Sequence, residues 1–461
     1  MKSGFNSLTE HFKVDDLPIK GKIPAWLNGD LLRNGPAKFD LGDKGYRHWF
    51  DGLSLLHNFS IKEGKVDYRN HFLESEAYKQ DTKNKKISFR SFASDPCGGI
   101  FKRVFSGWYR KNTDNANVNI TQIGEHFLAL TETPMPIEFD AKTLETIGKF
   151  SYTDKLKIST LTAHPHLDLN TQISYNLVSH YGIQNSCYFY KLHPKSLTRI
   201  PFAKEVLKHP SYQHSFAMTK NYIIRTDVPF CLSHSLKLLF GKPFIENFHW
   251  DATKETVFSV FDKSSGKLLA KHRVPAFFTF HHANAYEKNN HINLDIVTYN
   301  DASIIKTLYL ENLNKTSTPF PQRYLTRFSL PIHQGQVTTE CISKNIELPR
   351  INYRYNMKDY RYVYGVGGDN KQIFNHLIKV DIKKKVQKIW KKQHCFPGEP
   401  VFVASPQAKT EDDGVVLSVV LNEQNQQSFL LILDAQNFEE QAIASLPSPL
   451  PFGLHGVFVS S

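Results

Sequence analysis

The sequence predicts an all-β fold, a β-propeller whose long inserted loops cap the metal-bearing face. Three observations predict it. One strand–turn–strand unit recurs along the chain, no stretch carries helical periodicity over several turns, and His-bearing stretches adjoin strand-like runs at wide intervals. The 461 residues exceed a typical single core unless the fold is repetitive. We therefore read 1–461 as one propeller domain with residues 1–24 as an N-terminal arm. A pair of β-sandwiches is the alternative, and it explains the repeated hairpin less well.

The arm is polar and bears prolines. Gly29-Asp30-Leu31-Leu32-Arg33-Asn34-Gly35-Pro36 then reads as a strand stopped by a turn. Leu53–Ile61 and Val66–Phe72 are β-prone runs around the Glu63-Gly64-Lys65 turn, which makes a hairpin. The unit returns at Ile137–Gly148, Tyr188–Ile200, Val257–Ala270, His376–Trp390 and Leu430–Ile443. In most copies an apolar strand ends in Asp (Asp140, Asp262, Asp381, Asp434) before a short turn and a second strand. Spacings of roughly 50 residues or more suit propeller blades with inserted loops. Gly365-Val366-Gly367-Gly368 lacks the full dinucleotide fingerprint and a following helix, so it reads as a turn. No nucleophile elbow or phosphate loop is present.

Composition narrows the function classes. Ordinary apolar content with abundant aromatics describes a globular chain. The five cysteines (Cys97, Cys187, Cys231, Cys341, Cys395) are scattered and form no C-x-x-C pair, which argues against a disulfide framework or a Cys-based zinc site. With no signal-like apolar N-terminus and no run near the ~18 apolar residues of a span, the expected compartment is reducing and cytoplasmic. The formal charge of +13 favours an anionic partner without choosing one.

Two segments interleave cations with aromatic and aliphatic residues, 85–111 and 234–244. Exposed rings flanked by Lys and Arg suit an anionic lipid surface, where rings insert and cations meet head groups. Nucleic acid ranks lower, because the aromatics outnumber what a phosphate-tracking groove needs. A packed loop with snorkelling Lys stems is the bland alternative.

The chemistry concentrates on histidine. Phe280-His281-His282-Ala283-Asn284 adjoins strand-like runs on both sides. Alone, such a His is more often a hydrogen-bonded structural residue. Comparable stretches surround His164 and His166, His214, and His455. A propeller brings one strand of each blade to a common axis, so one His per blade can converge on one ion. An imidazole shell suits Fe, Zn, Cu or Ni. Such ligands need carboxylates behind them to fix the ring tautomer, and Glu132, Glu347 and Glu399 sit beside apolar or Pro residues where a carboxylate needs a partner. Spacing alone does not select these from 21 His and 44 acidic residues.

At these residues the chain resembles the carotenoid cleavage oxygenase family. The motifs run in the family's order over nearly the whole length, from Arg33-Asn34-Gly35-Pro36 and His48-Trp49-Phe50-Asp51-Gly52 to Leu454-His455-Gly456. The resemblance implies a seven-bladed propeller with one Fe(II) per chain on its axis. It implies His164, His214, His281 and His455 as ligands, the first His of the double-His stretch among them, with Glu132, Glu347 and Glu399 behind. Asp95-Pro96-Cys97 and Glu411–Ser418 are similar to the animal branch of β-carotene oxygenases and retinoid isomerase. Ser94 and Gly98 depart from the Pro and Lys common there. The implied activity is O2-dependent cleavage of a carotenoid C=C bond, with central cleavage of β-carotene to retinal favoured and no strong acid or base needed beyond the iron site. Eccentric, apocarotenoid or stilbene cleavage and retinyl ester isomerohydrolysis stay open on the same scaffold, as does a non-catalytic lipophile-binding propeller. The implied partners are a carotenoid or apocarotenoid, O2 and a membrane surface met peripherally, with no nucleic acid. Phe101, Lys102, Arg103, Phe105, Trp108, Leu238, Leu239 and Phe240 are expected to face that membrane.

Overall fold

The computed structural model describes residues 2–96, 111–233, 238, 242–315, 319–369, 371–372 and 374–461. Among them, seven antiparallel sheets of four to six strands form the blades of a propeller, and Phe230–Leu232 pairs with Phe248–Trp250 in a small extra hairpin. Blade 2, for example, runs Asn119–Ile123, His126–Leu130, Ile137–Phe139, Thr146–Lys149 in spatial order.

The recurring sequence unit is the outer hairpin of a blade, and the terminal Asp explains its turn. Asp140 Oδ1 accepts from the amides of Lys142 and Thr143 (2.8 and 2.7 Å), and the Leu144 amide returns to the Asp140 carbonyl at 2.8 Å. The same turn follows Asp262, Asp381 and Asp434. Four residues after each Asp, the backbone enters the left-handed region, at Leu144, Gly266, Lys385 and Phe438 (φ 64, 73, 55 and 68°). A side-chain oxygen that mimics a backbone acceptor makes these turns self-contained.

Closure is made by the chain ends. Gly456–Ser460 is the first strand of the blade that continues through Gly29–Lys38, Leu53–Lys62 and Lys65–Phe72. The N-terminal arm covers the same seam: Lys13–Val14 pairs with Lys65–Phe72, and Ile19–Gly21 pairs with Glu440–Ser445 of blade 7. Neighbouring blades interlock through buried aromatics, such as Phe258 with Phe328 (5.1 Å between centroids) and Phe189 with Phe261 (5.9 Å). Each such buried side chain stabilises the fold by about 1.5–3 kcal/mol.

Three expectations need correction. Gly365 and Gly367 lie inside the strand Tyr362–Gly367, not in a turn. A Cβ on Gly365 would stand 2.8 Å from the Glu347 carbonyl, so the strand pair is closer there than side chains permit. The strand begun at Gly29 is not stopped at Pro36 but runs to Lys38 through a bulge. A nine-residue helix, Glu76–Asn84, occupies a stretch with no strong periodicity because only Ala77 and Asp81 are buried. Its sequence signal is the cap: Ser75 Oγ accepts from the Tyr78 amide at 3.1 Å.

Candidate metal centre

Four blades deliver one His each to the axis. His214 precedes the first strand Ala217–Met218, His281 immediately precedes His282–Lys288, and His455 immediately precedes Gly456–Ser460. His164 sits between the two short segments, Thr160–Leu161 and His166–Asp168, that serve as the first strand of blade 3. A first strand starts at the axis, so a residue at its head points into the central space whatever its sequence distance from the others. Their potential ligand atoms all lie within 4.8 Å of one another. His164 Nε2 and His214 Nε2 are 3.2 Å apart.

Three glutamates hold three of the rings from behind. Nδ1 of His214, His281 and His455 each lies 2.7 Å from a carboxylate oxygen, of Glu132, Glu347 and Glu399 respectively. A carboxylate accepting from Nδ1–H leaves Nε2 with its lone pair, the state a metal ligand needs. None of these glutamates holds His164. Glu347 comes from the strand Ile346–Arg350, Glu399 from the turn between Cys395–Pro397 and Val401–Ala404, and Glu132 from the connection after His126–Leu130.

The carboxylates are themselves anchored. Tyr212 donates to Glu132 (2.6 Å) and Tyr299 to Glu347 (2.8 Å). The Gly456 amide donates to Glu399 (3.0 Å), with Arg350 at 3.4 Å and Arg33 at 3.8 Å. Leu348 adopts a left-handed φ of 49° and turns its amide back onto Glu347. A non-glycine residue in that region is held there by its surroundings. Burial alone would raise the Glu347 carboxyl, but His281, the Leu348 amide and Tyr299 together hold it at about 2. Burial is likewise outweighed at Glu399, held at about 2 by Arg350, His455 and Arg33. Burial pushes His164 well down, aided by the other three rings, and brings His455 to about 4 against the pull of Glu399. His164 and His455 are therefore neutral at physiological pH.

The tertiary structure separates neighbours that the sequence leaves equivalent. His281 Nε2 is buried without a hydrogen-bond partner. His282 is bonded at both nitrogens, to Ser215 Oγ (2.6 Å) and Thr226 Oγ1 (2.8 Å). His166 Nε2 bonds to the Phe216 carbonyl at 3.1 Å. A buried nitrogen lone pair left unmet costs about 1–3 kcal/mol, and a metal ion meets it. Metal–nitrogen bonds of about 2.0–2.1 Å require ligand atoms at most about 4.2 Å apart, so the cluster fits an ion after a small contraction.

A cavity of about 650 Å³ opens beside the cluster. His214, His281 and His455 line it together with Phe50, Phe280, Tyr299 and Leu454. That volume falls within the range of small-molecule sites. Its walls come from connections joining the fourth strand of one blade to the first of the next, or the second to the third. In antiparallel blades these leave from the same end, so the cavity lies on one face of the propeller. Asp51 also borders the cavity. Burial raises its carboxyl to about 6, although Ser94 Oγ (2.6 Å) and the Ala93 amide (3.0 Å) donate to it. Asp51 belongs to the His48-Trp49-Phe50-Asp51-Gly52 motif, but its contacts with Ala93 and Ser94 emerge only from the fold.

Of the residues expected at a membrane, Phe101, Lys102, Arg103, Phe105, Trp108, Leu239 and Phe240 lie outside the described residues. Leu238 is half-buried and lines the cavity, and its carbonyl accepts from Arg90. No described helix is long and apolar enough to cross a membrane.

Known proteins match this architecture. The model of the family described as "Retinal pigment epithelial membrane protein" matches residues 5–460. The β,β-carotene 15,15′-dioxygenase of Homo sapiens is 35% identical, with 96% of this chain and 91% of that one covered. The mitochondrial carotenoid-cleaving dioxygenase of Mustela putorius furo is 34% identical over 97% of this chain and 94% of its own. Cobalt-substituted apocarotenoid oxygenase from Synechocystis superposes with a TM-score of 0.90 at 27% identity, covering 99% of this chain and 98% of that one. The chain therefore belongs to the retinal pigment epithelial membrane protein and carotenoid oxygenase family.

Proposed function

We propose that this protein is a non-haem iron dioxygenase that cleaves one C=C bond of a carotenoid, with β-carotene and its central double bond as the first choice. The observation that carries this reading is the four-imidazole cluster, three of its rings fixed by buried carboxylates, on the wall of a largely apolar cavity. Relatives named as β,β-carotene 15,15′-dioxygenases support the substrate class.

His164, His214, His281 and His455 would hold the ion. When bound, Fe(II) supplies a Lewis-acidic, redox-active centre for O2. The balance needs no external reductant: one C=C and one O=O bond are broken, and two C=O bonds form. The chain's own residues perform the rest. Glu132, Glu347 and Glu399 keep protons on Nδ1, so each Nε2 stays a donor of electrons. Phe50 and Phe280 flank His214 at 6.4 and 5.0 Å between ring centroids, and they give a flat conjugated chain apolar surface beside the centre. An apolar wall also keeps bulk water from the reacting carbons. We further read the segments 85–111 and 234–244 as a peripheral membrane contact for an insoluble substrate.

The test is aerobic incubation of the iron-loaded protein with β-carotene, and in parallel with an apocarotenal, followed by product chromatography. Retinal alone from β-carotene is the expected result. Intact polyene in both incubations with iron bound would refute the reading.

A further inference from the structure

His455 differs from the other three histidines in how its blade is built. His214 and His281 precede first strands that the chain itself joins to their second strands, Ala217–Met218 to Tyr222–Asp227 and His282–Lys288 to His291–Tyr299. His455 heads Gly456–Ser460, whose partner strand Gly29–Lys38 lies hundreds of residues away in sequence. Pairing and packing, not a connecting turn, therefore seat this strand. A strand seated that way opens locally more easily than one tied by a short connection.

Arg33 sits at this junction, opposite Gly456 in the strand pair and buried. Its Nη1 donates to the Glu399 carbonyl at 3.0 Å and its Nη2 to the Leu454 carbonyl at 3.1 Å. The first carbonyl belongs to the residue whose carboxylate accepts from His455 Nδ1. The second belongs to the peptide that joins Leu454 to His455. One planar guanidinium thus fixes the backbone of the ring and the backbone of the carboxylate behind it, a task for a rigid fork of donors. The ion pair itself is loose, at 3.8 Å from Nη1 to Glu399 Oε2, so the carbonyl bonds set the geometry. The strands also meet closely here: a Cβ on Gly456 would stand 2.6 Å from the Leu32 carbonyl oxygen and 2.8 Å from Arg33 Cγ. Backbone bonds complete the seat. The Leu454 amide donates to the Asn34 carbonyl and the Asn34 amide to the His455 carbonyl, both at 2.9 Å. Glu132 and Glu347 are anchored differently, by the phenols of Tyr212 and Tyr299.

We propose that Arg33 is a positioning residue that couples closure of the propeller ring to the metal centre. It is not among the residues that line the cavity, and it acts through Glu399 and His455. By holding the two backbones together it sets His455 among the other three rings. Coupling between two equilibria is reciprocal. What closure does for the affinity of the ion, the bound ion must do for closure. The ion then fastens Gly456–Ser460 to Gly29–Lys38, and Arg33 carries that effect from His455 into the strand pair. This inference rests on the reading of the four histidines as a metal centre.

The test is amide hydrogen exchange of the full chain with and without saturating Co(II), beside competition for Co(II) against a chromophoric chelator. In the wild type, Co(II) is expected to slow exchange in 29–38 and 456–460 about tenfold more than in the outer strands of blade 3, Ser186–Leu192 and Arg199–Val206. Arg33→Lys keeps the charge without the fork, and Arg33→Met removes both. Both variants are expected to bind Co(II) at least about tenfold more weakly and, at saturation, to lose the extra protection of 456–460. Tyr299→Phe loosens Glu347 and not Glu399, so it is expected to weaken Co(II) and keep that protection. A wild type that binds Co(II) without extra protection of the closing strand overturns the coupling. So do Arg33 variants that keep it in full, and so does a Tyr299→Phe that loses it equally at saturation. Should neither Arg33 variant fold, the wild-type and Tyr299→Phe measurements still decide the coupling. A wild type that binds no Co(II) overturns the metal-centre reading and this inference with it. Neither readout depends on turnover, so failure of the dioxygenase reading alone is seen separately, in the polyene incubations.

Discussion

Replacing Glu347 by Gln isolates what a buried carboxylate does for the metal centre. Glu347 accepts from His281 Nδ1 at 2.7 Å and from Tyr299 at 2.8 Å, and it is only 4% exposed. Gln preserves shape and one acceptor but loses the charge. Hydrogen bonds to charged groups stabilise by about 1.5–3 kcal/mol and neutral ones by about 0.5–1.5. The exchange therefore costs roughly 1–1.5 kcal/mol of ring orientation and basicity, or about tenfold in metal affinity. Should the amide nitrogen face His281, the ring must take the other tautomer and a ligand is lost, which moves the effect towards about 100-fold. The assay is anaerobic competition for Fe(II) or Co(II) against a chromophoric chelator, with thermal unfolding as the fold control. An affinity within twofold of wild type in a folded variant would refute the carboxylate–imidazole reasoning.

His281→Ala should abolish both metal binding and turnover, whereas His282→Ala should keep metal affinity and lose about 1–3 kcal/mol of stability through its two buried hydrogen bonds; metal titration and denaturant unfolding separate the two. Asp51 carries a pH signature, because its folded carboxyl titrates near 6 and not near the ordinary 4. A raised carboxyl favours the fold below the ordinary range, and that contribution, roughly 3 kcal/mol, is lost as pH rises through 6. The stability of wild type minus that of Asp51→Asn should fall between pH 4 and 7, and a flat difference would contradict this. Gly365→Ala forces a Cβ to within 2.6 Å of Ile346 and 2.8 Å of the Glu347 carbonyl, so overpacking should cost about 1–3 kcal/mol. Metal affinity should fall with it, because the displaced strand carries Glu347.

Most of the outer hairpins are legible in the sequence, and the reason is locality. In four copies the outer hairpin is written by an apolar run, an Asp that accepts its own turn amides, and a left-handed residue four places on. The hairpin of Arg323–Pro331 and Thr338–Lys344 escaped because its connection carries no such Asp. The helix Glu76–Asn84 escaped because it buries too few residues to imprint a period.

The motifs also pointed to the four clustered histidines and to the glutamates that hold three of them, through resemblance and not through spacing. What only the tertiary structure decided is which nitrogen each ring presents and which histidines stand apart. His281 and His282 are adjacent and chemically identical, yet consecutive strand residues point to opposite sides. One therefore faces the axis and the other is consumed by Ser215 and Thr226. The cavity is likewise a product of closure. Trp49 and Phe374 line it although they are hundreds of residues apart, and Phe5 and Phe452 pack against them where the pairing of Gly456–Ser460 with Gly29–Lys38 closes the ring. A contact set by ring closure has no local signature, because no stretch of the chain contains both of its partners.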